Sequence, residues 1–201
     1  MENFNREMEK VIQGLKGQSV KPKLLLHACC APCSSACIER LKDVFDITVF
    51  FYNPNMDTLE EYSLRSDEQV RLCKEFDVEC YIADYSSKDF TTSVVGREDC
   101  VEGGERCSIC YALRLKKTAE YAKANGYDYF TTTLTISPLK DAYRLNQIGK
   151  SLAEQTGVNF LPSDFKKKGG YQRSIELSKQ FNLYRQNYCG CKYSKNICPQ
   201  E

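Results

Sequence analysis

The sequence predicts an α/β protein built on one parallel sheet of about five strands with helices on both faces. Three observations carry that expectation. Five short apolar runs rich in β-branched and aromatic residues, "KLLLHA", "DITVFF", "VECYIA", "YDYFTTT" and "VNFLPS", follow one another along the chain. A charged stretch with helical periodicity separates each run from the next, and parallel strands need such crossovers. No Gly/Ser/Pro-rich linker, low-complexity tract or repeat interrupts the 201 residues, so 1–201 reads as one domain.

The elements follow in order. Residues 1–20 carry an amphipathic packing helix over 2–16, with Phe4, Met8, Val11, Ile12 and Leu15 at helical spacing. In the first strand Leu24, Leu25 and Leu26 are continuous, as expected where both faces are covered. Helices are expected over 33–43, 57–76, 105–125 and 139–156, the third closing at Asn125 and Gly126. Residues 163–201 form a helical, cysteine-bearing segment packed on the domain.

With 42% hydrophobic residues the chain can bury a core without covalent staples. The opening "MENFNREMEK" has no continuous apolar region and no window approaches a membrane span, so a cytoplasmic protein without a membrane partner is expected. In that compartment twelve closely spaced cysteines point to metal ligation or redox chemistry rather than structural bridges. A net charge of +1 neither favours nor excludes a nucleic-acid partner.

"HACCAPC" lies at the carboxyl end of the first strand, where open α/β sheets bind ligands. A nucleotide-binding protein of this class carries a glycine-rich phosphate loop there; this chain has neither G-x-G-x-x-G nor a Walker-type lysine, and offers thiols instead. "ERCSIC" sets Cys107 and Cys110 one turn apart at a helix start, where oriented N–H groups favour thiolate. With Cys29, Cys30 and Cys33 these exceed the four thiolates of a tetrahedral metal or an iron–sulfur cube. In "NYCGCKYS" glycine separates Cys189 from Cys191, an arrangement for an easily reduced disulfide or for two more ligands to the same centre. Cys37, Cys73 and Cys80 read as packing residues; Cys100 and Cys198 carry no assigned role. His27, the only histidine, is either a proton donor or sulfur partner, or a satisfied strand-end residue.

"LLLHACCAPCSS", "ERCSICYALRL", "TTTLTISPLKD" and "YRQNYCGCKYS", in that order over nearly the whole chain, resemble the QueH family of epoxyqueuosine reductases. The resemblance implies a Rossmann-like fold of the adenine-nucleotide-hydrolase (HUP-like) kind that has lost ATP use. It also implies a [4Fe–4S] cluster and cobalamin-independent reduction of the epoxide on a modified tRNA wobble base. Family ligands carry over onto Cys29, Cys30, Cys107 and Cys110, and the redox pair, with its disulfide, onto Cys189 and Cys191. Cys33 either replaces one of the paired ligands or holds a second iron beside the cluster. Removing an epoxide oxygen takes two electrons and two protons, so an electron donor is needed; His27, Tyr188 and Asp141 are the proton candidates.

For the tRNA anticodon loop, "FKKKGGYQR" offers Lys166, Lys167, Lys168 and Arg173 around a Gly-Gly pair as a phosphate-gripping loop, with Tyr171 to stack on a base. Arg114, Lys116 and Lys117 of "YALRLKK" form a second basic cluster. A solvated charged face is the alternative for both. Two rival functions share the cysteine pattern: a zinc-binding module or hydrolase, and a thiol–disulfide oxidoreductase acting on proteins.

Overall fold

The computed structural model describes residues 2–194. Its strands β1 (Lys23–His27), β2 (Asp46–Phe51), β3 (Glu79–Ile82), β4 (Tyr129–Thr132) and β5 (Asn159–Phe160) form one sheet in the order β3-β2-β1-β4-β5. Every neighbouring pair is parallel, with Leu25 of β1 opposite Thr48 on β2 and Phe130 on β4.

The continuous leucines of β1 divide between two cores. Leu24 and Leu26 join Ile47 and Val49 on one face, covered by α1 (Phe4–Leu15), α2 (Ala31–Leu41) and α7 (Gly170–Gln180) through Met8, Ile12, Ile38, Leu41 and Leu177. Leu25 joins Phe50, Phe130 and Phe160 on the other, covered by α5 (Glu105–Ala124) and α6 (Ala142–Thr156) through Leu115, Ala119, Leu145 and Leu152. Each fully buried leucine contributes about 2 kcal/mol. The first strand therefore reads as a run and not as an alternation because neither of its faces meets water.

Helix starts depart from the expected ranges where a capping group intervenes. α3 (Leu59–Phe76) begins after Thr58, whose hydroxyl accepts the Glu61 N–H at 3.2 Å. α6 begins at Ala142, after Asp141, whose carboxylate accepts the Arg144 N–H at 3.0 Å. α2 begins at Ala31 with Pro32 in its first turn, where the missing N–H has no partner to lose. Cys33 thus belongs to a helix, not to the loop that holds Cys29. α5 ends as expected, with Gly126 at φ +68° and the Tyr127 N–H returning to the Ala122 carbonyl at 3.0 Å.

α4 (Ser87–Ser93) and the 3-10 turn Thr133–Ile136 that follows β4 were not expected, whereas α7 falls in the segment read as helical over 163–201. α4 is too short to show a period. α7 starts inside "FKKKGGYQR", so that stretch is not one loop. Gly170 is required there, since a Cβ would fall 1.9 Å from the Phe165 carbonyl oxygen. Residues 195–201, Cys198 among them, lie outside the described residues.

Gly149 on α6 faces β5 at similarly close range: a Cβ would come within 2.4 Å of the Phe160 ring. Gly149→Ala is expected to cost about 2 kcal/mol by overpacking. Urea denaturation checks this, and an unmoved midpoint would mean that Phe160 can turn aside.

Candidate metal centre

The strand order turns back at β1, so the carboxyl ends of β1 and β4 open the crevice in which α/β sheets bind ligands. β1 delivers His27 to its floor. Nδ1 lies 2.9 Å from Thr132 Oγ1 and Nε2 3.1 Å from the Tyr52 carbonyl oxygen. Thr132 Oγ1 already accepts the Leu134 N–H, so its own proton goes to Nδ1 and the imidazole donates from Nε2. Burial, reinforced by the positive charge of Arg114, pulls the His27 pKa down to about 3. The ring is neutral, bonded at both nitrogens, and ties β1 to the ends of β2 and β4.

Directly beyond it, the turn into α2 brings three sulfurs together. Cys29, Cys30 and Cys33 have Sγ atoms all within 4.8 Å of one another, with Cys29 and Cys30 3.8 Å apart. Thiolates about 2.3 Å from one tetrahedral ion stand about 3.8 Å apart, so this group matches a single metal ion. The Thr133 hydroxyl, on the turn after β4, accepts the Cys29 N–H at 3.3 Å and lies 3.6 Å from its sulfur. Hydrogen bonds from the Cys30 and Cys33 thiols, aided by Thr133, hold Cys29 well below the ordinary thiol range against its burial. Their hydrogen bonds to Cys29, followed by burial and its charge, push Cys30 and Cys33 up in turn.

Cys107 and Cys110 occupy the first turns of α5, and the Gly103 N–H points at Cys107 Sγ from 3.2 Å. They do not join the three-sulfur group. They line an adjoining cavity with Cys189, Cys191, Phe90 and Arg106, while Cys29, Cys33, Leu134 and Tyr188 line the next. Glu102, Arg114, Lys140, Cys189 and Ser194 wall both cavities, so the two thiol groups face a shared partition.

Cys189 and Cys191 are brought to that partition by a C-terminal segment with several ties. Asn55 Nδ2 donates to the Cys189 carbonyl at 3.1 Å, the Asp57 N–H to the Gly190 carbonyl at 3.1 Å, and Arg65 lies 5.0 Å over the Tyr188 ring. Gly190 adopts φ +93°, and a Cβ would meet Met56 Cγ at 3.0 Å, so the residue between the cysteines has to be glycine. The Cys191 thiol donates to Cys189, and with Lys140 and Ser194 close by this holds Cys189 well below the usual range although burial opposes it. The described cysteines are all free, so the disulfide expected between Cys189 and Cys191 is not formed here. Cys37 packs, its Sγ donating to the Cys33 carbonyl at 3.3 Å.

Other candidates fall elsewhere. Asp141 is exposed and occupied as the cap of α6, with Arg144 Nε 3.7 Å from its carboxylate. Lys166 pairs with Asp164 at 3.0 Å, Lys168 with Glu9 at 3.9 Å, and Arg173 with Glu39 at 2.8 Å and Glu176 at 3.0 Å. Among the described residues Lys167 has no carboxylate within 4.0 Å. Tyr171 is 38% exposed with the Arg185 guanidinium 5.8 Å from its ring. Arg114, read from sequence as part of a surface cluster, is 3% exposed and belongs to the crevice; Lys116 and Lys117 remain outside. The available signal was spacing, because Arg114 stands four residues after Cys110 on the same helix face. Thr133 and Lys140 fall within "TTTLTISPLKD" but were given no role there, and nothing local marked Asn55; long-range packing delivers all three.

A parallel sheet of Rossmann-like order, with thiols and a buried guanidinium at its switch point instead of a phosphate loop, defines a cysteine-centred α/β protein. The family model described as epoxyqueuosine reductase QueH matches residues 24–197, and the chain belongs to that family. It is 40% identical over 201 residues to epoxyqueuosine reductase QueH of Streptococcus pyogenes serotype M1, covering 97% of this chain and 79% of that one. It is 37% identical over 174 residues to the Thermotoga maritima relative of the same description, covering 85% and 89%. Among solved structures, the U34-tRNA thiolase NcsA from Methanococcus maripaludis with its [4Fe-4S] cluster shares the fold, with a TM-score of 0.55 over 95% of this chain and 68% of that one at 15% identity.

Proposed function

We propose that this chain removes the epoxide oxygen of epoxyqueuosine at the wobble position of tRNA to leave queuosine. The observation that carries the reading is the partition between two thiol-lined cavities in a member of this family. Both carbon–oxygen bonds of the epoxide break, the oxygen takes two protons and leaves as water, and two electrons enter the new alkene. Cys189 and Cys191 supply both electrons on closing to a disulfide, the Cys191 thiol gives one proton and solvent water the other, and an electron donor then reopens the disulfide. The Cys191 thiol bonded to Cys189 and the nearby Lys140 ammonium favour that role, because they keep Cys189 a thiolate, nucleophilic when the disulfide forms and a good leaving group when it is reopened.

The donor set suits a [4Fe–4S] cluster. Cys29 and Cys30 from the end of β1 and Cys107 and Cys110 from α5 provide four thiolates, with Thr133 and the Gly103 N–H directed at sulfur. When bound, such a cluster supplies single-electron transfer and a Lewis-acidic iron toward the departing oxygen. The closeness of Cys33 to Cys29 and Cys30 favours a separate iron held by Cys33 beside the cluster, or, as a second reading, a zinc on these three sulfurs in its place. Metal and sulfide analysis of anaerobically reconstituted protein decides: about four irons with equal sulfide support the cluster alone, and extra iron without sulfide supports the added ion. Stoichiometric zinc without sulfide would replace both with the zinc-protein reading. His27, neutral and bonded at both nitrogens, and Asp141, a helix cap, fit supporting roles better than proton delivery.

For the anticodon stem-loop we propose contact through Lys166, Lys167, Lys168, Tyr171 and Arg173. Since Lys166 and Lys168 are paired within the chain, replacing all three lysines by alanine is expected to lower the slope of log affinity against log salt by about one charge rather than three. Titration across a salt series reads this, and an unchanged slope would remove the segment from the interface. No helix among the described residues is long and apolar enough to cross a membrane; we place the reaction in the cytoplasm, where thiols stay reduced.

A further inference from the structure

Arg114 is a buried cation without an anionic protein partner. It is 3% exposed, and no carboxylate lies within 4.0 Å of it among the described residues. Its Nε donates to the Cys110 carbonyl and its Nη1 to Asn53 Oδ1, both at 3.3 Å and both neutral acceptors. Asn53 is itself fixed by donating to the Ala28 carbonyl at 2.9 Å, so the guanidinium is held between the cysteine loop and α5. Burying a charge without a carboxylate is costly, and Arg114 sits in the partition between the two thiol groups. Lys140 reinforces it from the same partition: its side chain is 10% exposed and its one carboxylate neighbour, Glu102, stands off at 3.8 Å. Arg106, also buried, differs. It lines only the Cys107 side and is held by the Arg97 and Glu98 carbonyls and the Tyr193 ring, as an anchor would be.

We infer that Arg114, with Lys140, is the built-in counter-charge of an anionic thiolate-held centre and sets how readily that centre accepts an electron. The inference rests on the iron–sulfur reading above. A centre held by several thiolates is anionic and becomes more so on reduction, and a fixed cation in a low-dielectric wall favours the reduced state more than the oxidised one. The missing carboxylate is then explained, since the centre itself supplies the negative charge. Arg114 acts through the centre and not on the substrate, which makes it a positioning and tuning residue.

The test reconstitutes wild type, Arg114→Lys, Arg114→Met and Lys140→Met anaerobically with ferrous iron and sulfide. Iron and sulfide content, iron release to a chelator, and midpoint potential by spectroelectrochemical titration are then measured. Arg114→Met is expected to shift the potential to lower values and to speed iron release about tenfold or more, with Arg114→Lys recovering most of both and Lys140→Met showing a smaller shift in the same direction. Full iron with an unmoved potential in Arg114→Met overturns the inference, as does equal damage in Arg114→Lys and Arg114→Met, which would mark a purely geometric role. Where Arg114→Met fails to fold, Lys140→Met decides, an unmoved potential counting against the inference. Failure of the wild type to take up iron contradicts the iron–sulfur reading itself and is seen before any variant is compared.

Discussion

Cys107→Ala, reconstituted anaerobically, is expected to lose its iron and to drop in turnover by about 100-fold or more. The sulfur it removes stands in the first turn of α5, and no other cysteine lies within a helical turn of it except Cys110, itself an assigned ligand. The Gly103 N–H, now directed at Cys107 Sγ from 3.2 Å, would lose its acceptor. Cys30→Ala should be milder, because Cys33 shares one group with Cys29 within 4.8 Å and can take the vacant place. Iron and sulfide per chain are the readout. Four irons retained by Cys107→Ala would remove α5 from the ligand set, and equal loss in both variants would mean that Cys33 cannot substitute.

Cys189→Ser and Cys191→Ser are expected to leave iron content unchanged and to stop multiple turnover, a loss of about 100-fold or more under steady-state conditions. Each variant removes one sulfur of the pair that carries the two electrons. The segment itself should stay seated, because its ties to Asn55, Asp57 and Arg65 run through the backbone and the Tyr188 ring. Rapid-quench assays separate a residual first turnover from the steady state. Loss of iron in either serine variant would instead make these sulfurs ligands, the other role that a C-x-C pair permits.

The sheet was legible because burial on both faces writes itself into composition. Leu24 to Leu26 and Val49 to Phe51 are apolar without alternation, as strands covered on both faces are. Helix bodies were legible for the same reason, but their starts were set by Thr58, Asp141 and Pro32, single capping or first-turn residues that periodicity does not weigh. Within the site, thiol spacing gave the cysteines, and the position of "HACCAPC" after a strand gave the crevice. What spacing could not give was which sulfurs meet: Cys33 joins Cys29 and Cys30, while Cys107 and Cys110 share a cavity with Cys189 and Cys191. That partition depends on α5 crossing behind β1 and on a C-terminal segment returning from far along the chain. The buried state of Arg114 was hidden likewise, since arginine on a helix with two lysines reads as solvated surface until the helix is packed.

Epoxide removal from a tRNA base is the reaction proposed for these thiols. Anaerobically reconstituted protein, supplied with a reductant and an anticodon stem-loop carrying epoxyqueuosine, tests it by mass spectrometry of the RNA. The expected product is an RNA lighter by one oxygen atom, bearing queuosine, in more than one copy per protein chain. An RNA of unchanged mass from protein that holds its full iron and sulfide would contradict it.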